Sequence, residues 1–269
     1  MGIFTRLLFG ALLGLLALSG PSMAATPIGQ VAAVVGSPTG SGRPLSAGSP
    51  IFENDRLVTG AGNVQIVFVD DTHLVVGPNS TLVIDRFLMR GGNRAQKFSI
   101  DALRGTFRFI TGNSAKGAYD IQTANATIGI RGTAFDFSSH GETLIAVLEG
   151  GVRLCSAGRC ESIPQGCGVG RASSNGVQQL GGRTKGRALG TLPYIVQQGA
   201  LSRGFRLNTQ SCRASLSLVP ATPNGTKGPH GPAGGPPGDG GPPGDGGPPG
   251  GGGFGGGRPG GGPGHGQPG

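Results

Sequence analysis

Two stretches decide the reading of this chain: "DALRGTFRFITG", residues 101–112, and "IGIRGTAFDFSS", residues 128–139. Each carries an apolar residue, Arg-Gly-Thr, and then two phenylalanines on alternate positions. Alternation of that kind puts both rings on one face of a strand. Gly105 and Gly132 supply the backbone freedom of a corner, and Thr106 and Thr133 begin the strand that follows. Arg-Gly-Thr is therefore read as a repeated architectural corner, not a recognition loop. In this reading Arg104 and Arg131 are held by loop carbonyls or by an acid. The second copy has one extra residue, Ala134. That predicts either a β-bulge or a copy packed from the opposite side, and with a bulge Arg108 and Asp136 face outward and pair.

Working outward, short β-branched or aromatic segments run from Gly29–Val35 to Gly151–Leu154, punctuated by "VDDT", "GPNS", "RGGN" and "HGET". This is an all-β pattern with no convincing helix before residue 190. Past it, Thr191 and Pro193 mark one short helix over about 192–202, with a loop as the alternative.

The ends differ in kind. Residues 1–24 have Arg6, an apolar run from Leu7 to Leu18, and small residues at Ser22 and Ala24. They read as a signal peptide cut after Ala24, because the run is too short to span a bilayer. No later segment is apolar enough to cross a membrane, which leaves a periplasmic or extracellular protein. Residues 220–269 are a Gly/Pro-rich, low-complexity tail with collagen-like Gly spacing from Gly235 to Gly256. It has too little to bury to offset its own ordering entropy and is expected to be disordered.

The net charge of +9 is local. Residues 25–152 hold ten Lys/Arg and ten Asp/Glu, whereas residues 153–213 hold nine Lys/Arg against Glu161 alone, an excess of eight. Arg171, Arg183, Lys185, Arg187, Arg203 and Arg206 are the candidates for contact with an anionic surface: lipid head groups, lipopolysaccharide or acidic polysaccharide. Nucleic acid is a poor partner, since export removes it and only Tyr194 and Phe205 are there to stack.

An oxidising compartment makes disulfides the default for Cys155, Cys160, Cys167 and Cys212. Cys155 and Cys160 flank a Ser-Ala-Gly-Arg turn, which favours a bridge across a hairpin. Cys167 then joins Cys212, although four cysteines allow three pairings. Their spacing is not that of a zinc site, and no metal or other cofactor is expected.

Catalytic signatures are weak. His73 beside Asp70 and Asp71 belongs to a turn leading into a strand. Ser80 in "GPNSTL" lacks a nucleophile elbow. A glycoside hydrolase would need two converging carboxylates from Asp70, Asp71, Asp85, Asp101, Asp120, Asp136, Glu142 and Glu149.

The order of "GQVAAVVG" (29–36), "RPLSAGSPIFENDRLVTGAGNVQIVFVDDTHLVVGPNSTLVI" (43–84), "FSIDALRGTFRFITG" (98–112) and "YDIQTANATIGIRGTAFDFSSHGETLIAVLEGGVRL" (119–154) resembles the FecR protein domain over about residues 28–155. Arg131, Gly132 and Thr133 are its family mark. The resemblance implies a solenoid-like or β-roll-like extracytoplasmic domain that works by protein contact and has no known catalytic residues. In the family's regulators a sigma-factor-binding segment and a membrane span come first. The signal peptide stands in their place here, so the sigma-regulating role is not carried over. The expected organisation is a signal peptide (1–24), a FecR-like β domain (25–155), a basic disulfide-linked segment (156–219) and the tail (220–269). The expected function is a non-enzymatic binding, scaffold or signalling-accessory module of the envelope with an unknown protein partner. The alternative is a surface-matrix protein whose tail self-associates.

Overall fold

In the computed structural model the described residues are 25–217. The expected signal peptide and Gly/Pro tail lie outside them.

The strands are β1 (Gly29–Val35), β2 (Thr39–Gly40), β3 (Arg43–Pro44), β4 (Pro50–Ile51), β5 (Arg56–Val58), β6 (Asn63–Phe68), β7 (His73–Val76), β8 (Thr81–Met89), β9 (Ala95–Ile110), β10 (Tyr119–Thr123), β11 (Thr127–Ile130), β12 (Ala134–Ser139), β13 (Thr143–Glu149), β14 (Gly151–Ser156), β15 (Arg159–Pro164), β16 (Gly168–Ser173) and β17 (Gly176–Leu180). They form two layers joined by β9. The first sheet runs β4-β1-β6-β7-β9-β12-β13-β16-β17, using residues 105–110 of β9. The second runs β3-β2-β5-β8-β9-β10-β11-β14-β15, using residues 95–104. Past β9, hairpins alternate between layers, β12–β13 in the first, β14–β15 in the second and β16–β17 in the first. The described residues are therefore mostly β, and the strands continue beyond residue 155 to Leu180. Apart from β9–β10, every pair is antiparallel, so the strands do not stack as the parallel coils of an ordinary solenoid.

Between the layers lies an aromatic core. Phe98 is 4.7 Å from Phe68 and 4.8 Å from Phe87, Phe109 is 5.7 Å from Tyr119, and Phe107 stacks on Phe137 at 4.9 Å. With no tryptophan, these rings supply the bulk that fills a two-sheet interior.

Both Arg-Gly-Thr stretches are places where the chain changes layer. Gly105 is the kink at which β9 passes from the second sheet to the first, with φ at +123°. Gly132 (φ +66°) turns the chain from β11 to β12, and a side chain at Gly150 would meet its carbonyl oxygen at 2.0 Å. The buried Ser80 ties the first corner. Its Oγ accepts from Thr106 N–H (3.0 Å) and donates to Pro78 O (3.0 Å), which makes the "GPNS" serine a structural knot.

The expectation built on Ala134 is corrected in part. β12 runs antiparallel to β9 in unbroken register, Phe109 opposite Phe135 and Phe107 opposite Phe137, so all four rings share the inner face. The bulge lies instead between β12 and β13, where Ala134 pairs with Glu149 and Phe135 with Val147. Arg104 and Arg131 are also corrected. Both are exposed and, among the described residues, their guanidinium groups make no hydrogen bond or ion pair; Arg131 is held only through its backbone N–H, which donates to Gly151 O (3.1 Å). A corner at the rim lets a guanidinium stay hydrated at no cost.

After β17 come α1 (Gly182–Gly190), α2 (Pro193–Val196), a 3-10 turn at Arg203–Phe205 and α3 (Gln210–Leu216). The expected helix over 192–202 shrinks to the single turn α2, and α1 appears where none was expected. This segment forms a cap on the outer face of the first sheet. Leu189, Leu192 and Ile195 pack on Leu144, Ala146 and Val169, and Phe205 and Leu201 pack near Val75. β13 is thus buried on both faces, which accounts for its unbroken apolar run "LIAVL".

Candidate functional site: the covered face of the first sheet

Directly opposed in the β9–β12 ladder, Arg108 and Asp136 point away from the aromatic core and lie under the cap, both fully buried. Arg108 Nε donates to Asp136 Oδ1 (2.6 Å) and Nη2 to Oδ2 (2.8 Å), a bidentate pair. The remaining donors reach the cap: Nη2 to Tyr194 O and Nη1 to Phe205 O, both 3.1 Å, and Nη1 to the Gln198 side chain. The guanidinium also lies 5.6 Å from the Tyr194 ring centroid. Burial pushes the Asp136 carboxyl upward in pKa, and the Arg108 guanidinium pulls against it. Burial likewise pushes the Tyr194 phenol up, and its Oη is buried without a hydrogen-bond partner among the described residues.

Two further side chains of the same face hold the cap. Gln65 donates to Ala200 O (3.0 Å) and accepts from Ser202 N–H (2.8 Å). His73 Nδ1 donates to Gly204 O (3.0 Å), its ring stacks on Phe205 at 4.8 Å, and its Nε2 lies 3.5 Å from Asp71. The histidine that invited a metal or general-base reading is a docking contact. The sequence brought Arg108 and Asp136 together correctly but gave no sign of Gln65 or Gln198. The one available hint was that Tyr194 and Phe205 are the only aromatics in a polar segment, and both are buried.

Asp70, also fully buried, accepts from Ser114 Oγ (2.7 Å), Tyr119 Oη (3.0 Å) and Thr72 N–H (3.1 Å). It ties the β6–β7 turn to the start of β10. Asp101 lies in the outer face of the second sheet near Asp85 and Asp120. Desolvation first, and then those two carboxylates, raise its pKa. A raised carboxyl stabilises the fold at acidic pH, and that stabilisation is lost as pH rises through its titration. Asp101→Asn is accordingly expected to raise Tm by about 1–2 °C at pH 7, the size of a screened surface effect, and to leave it unchanged at pH 3; paired thermal melts check this.

Of four surface grooves, of about 810, 590, 300 and 480 Å3, one has Glu53 on its wall and none has two carboxylates. The described residues contain no group of three or more His, Cys, Asp or Glu arranged to hold a metal, and no helix long and apolar enough to cross a membrane.

The basic candidates do not form one equivalent set. Arg206 donates to Leu201 O (2.7 Å) and Gly199 O (3.4 Å), and Arg171 Nε lies 3.3 Å from Glu142. Arg183 and Arg187, one turn apart on α1, are exposed, as is Arg203; Lys185 is half-buried. Cys155 is bonded to Cys160 and Cys167 to Cys212, the latter bridge tying α3 to the lead-in of β16.

Residues 55–153 match the model of the FecR protein family, so the chain carries a FecR domain. No curated protein matches the chain. Two crystal structures from Parabacteroides distasonis, each described as a candidate anti-sigma factor, are similar to it at 12% identity. One has a TM-score of 0.38 and covers 46% of this chain and 57% of its own; the other has 0.36 and covers 49% and 63%. The chain therefore spans less than two thirds of either relative.

Proposed function

We propose that this chain is an exported FecR-domain protein that acts by protein contact, as a scaffold or signalling-accessory module of the envelope, without catalysing a reaction. The FecR domain over residues 55–153 carries the reading. Support comes from the use made of the buried polar groups: Asp70, Ser80, Arg108 and Asp136 are all engaged in internal hydrogen bonds that hold turns and the cap. Two formed disulfides favour an oxidising compartment. We read the domain as solenoid-like in the loose sense that hairpins stack in chain order along both sheets.

Site-specific photocrosslinking in the cell tests contact. A crosslinker at Gln122, on the open face of the second sheet, or at Thr184, on the exposed side of α1, should give discrete protein adducts from at least one position. Absence of adducts from both would remove the reading.

For the basic segment we propose contact with anionic head groups through Arg183, Arg187 and Arg203. Each cation near such a surface contributes about 1 kcal/mol, so Arg183→Gln with Arg187→Gln should weaken co-sedimentation with phosphatidylglycerol vesicles by roughly 30-fold. Equal binding of wild type to neutral phosphatidylcholine vesicles would count against the proposal.

A further inference from the structure

The two disulfides occupy opposite environments. Cys167 and Cys212 are buried, at 1% and 0% exposure, and close a separation of 45 residues between sheet and cap. Cys160 is exposed and Cys155 half-buried, with a separation of 5. They face each other directly in the β14–β15 ladder, which pairs Gly151–Ser156 with Arg159–Pro164 residue by residue.

That hairpin has anchors besides its bridge. Val152, Leu154 and Ile163 anchor its inner side in the core, and Ser156 Oγ contacts Asn125 O and Ser173 O (2.5 and 2.7 Å). The sulfurs lie on the opposite, outward side. Among residues of these two strands, Arg153 is the only ionisable side chain on that side, two positions from Cys155 and exposed. A nearby cation favours the thiolate and so improves Cys155 as a leaving group. An approach for an incoming thiol is also present: Cys160 is exposed on β15, which pairs only with β14 and so leaves the side away from Cys155 open.

We infer that Cys155–Cys160 is a thiol–disulfide exchange site, open to thiols and dithiols in the folded protein, while Cys167–Cys212 is a closed structural bridge. A thiolate of the reductant bonds to the exposed Cys160 Sγ. The Cys155–Cys160 bond breaks with its electron pair moving to Cys155, which takes a proton from water. The second thiol of a dithiol then attacks the mixed disulfide and releases Cys160 as a thiol. The protein bridge gains two electrons and two protons, and the dithiol leaves as a disulfide.

The test is partial reduction of the 25–269 form by dithiothreitol without denaturant, followed by alkylation and peptide mapping over time. Cys155 and Cys160 should be alkylated at least about tenfold faster than Cys167 and Cys212, with the far-ultraviolet dichroism unchanged. In a second arm, Cys155→Ser exposed to oxidised glutathione should accumulate a mixed disulfide at Cys160. Loss of both bridges at one rate, or opening of Cys155–Cys160 only where the fold unravels, would overturn the inference. The wild-type time course decides the matter even where Cys155→Ser fails to fold.

Discussion

Asp136→Ala should lower the folding free energy by about 3–5 kcal/mol, read as a fall in the urea midpoint at unchanged slope. The reason is the orphan it leaves. Arg108 stays fully buried beneath the cap, its bidentate carboxylate gone, in a place water does not reach. A buried ion pair can often be replaced whole by apolar side chains at little cost. Here the double replacement Arg108→Leu with Asp136→Leu should recover only part of the loss. Tyr194 O and Phe205 O accept from the same guanidinium, and both would be left without that donor. Full recovery in the double variant would show that the cap does not depend on Arg108.

Gly105→Ala should cost about 2–6 kcal/mol by the same measurement, the sum of backbone strain and overpacking. At φ +123° an L side chain is strained whatever the space, and the space is absent: a Cβ would lie 2.0 Å from Ser80 Oγ and 2.5 Å from Ser80 Cα. Rotating the serine hydroxyl away does not help, because the backbone stands behind it. Gly117→Ala is the control; nothing lies within 4 Å of a Cβ there, and the change should stay within about 0.5 kcal/mol. A Gly105 variant as stable as wild type would mean that β9 does not kink at this residue.

Much of the β domain was legible because its determinants are local. Alternation placed β1 and β10 at their observed bounds, and the two Arg-Gly-Thr corners were visible as glycine followed by a strand. Register was not legible. The phenylalanine pairs look like tandem copies, but β12 meets β9 antiparallel, and strand direction is settled by which layer the chain returns to, a property no local pattern encodes. The cap was illegible for a similar reason. α1 reads "GRTKGRALG", three glycines in nine residues, and has poor intrinsic helix propensity. It forms because Ala188 and Leu189 bury against the outer face of the first sheet, with Gly186 also buried.

The hydrogen bonds by which the sheet holds the cap run mostly to main-chain atoms, the Gln198 side chain excepted. Arg108, Gln65 and His73 hold Tyr194, Ala200, Ser202, Gly204 and Phe205 by carbonyls and one amide, while Ser202 and Arg203 are exposed. A mount that recognises the path of the chain leaves the outward letters free. Residues at 202 and 203 can be exchanged for others of any charge while the platform keeps its place, so the surface this protein shows to its surroundings can be rewritten without rebuilding the fold beneath.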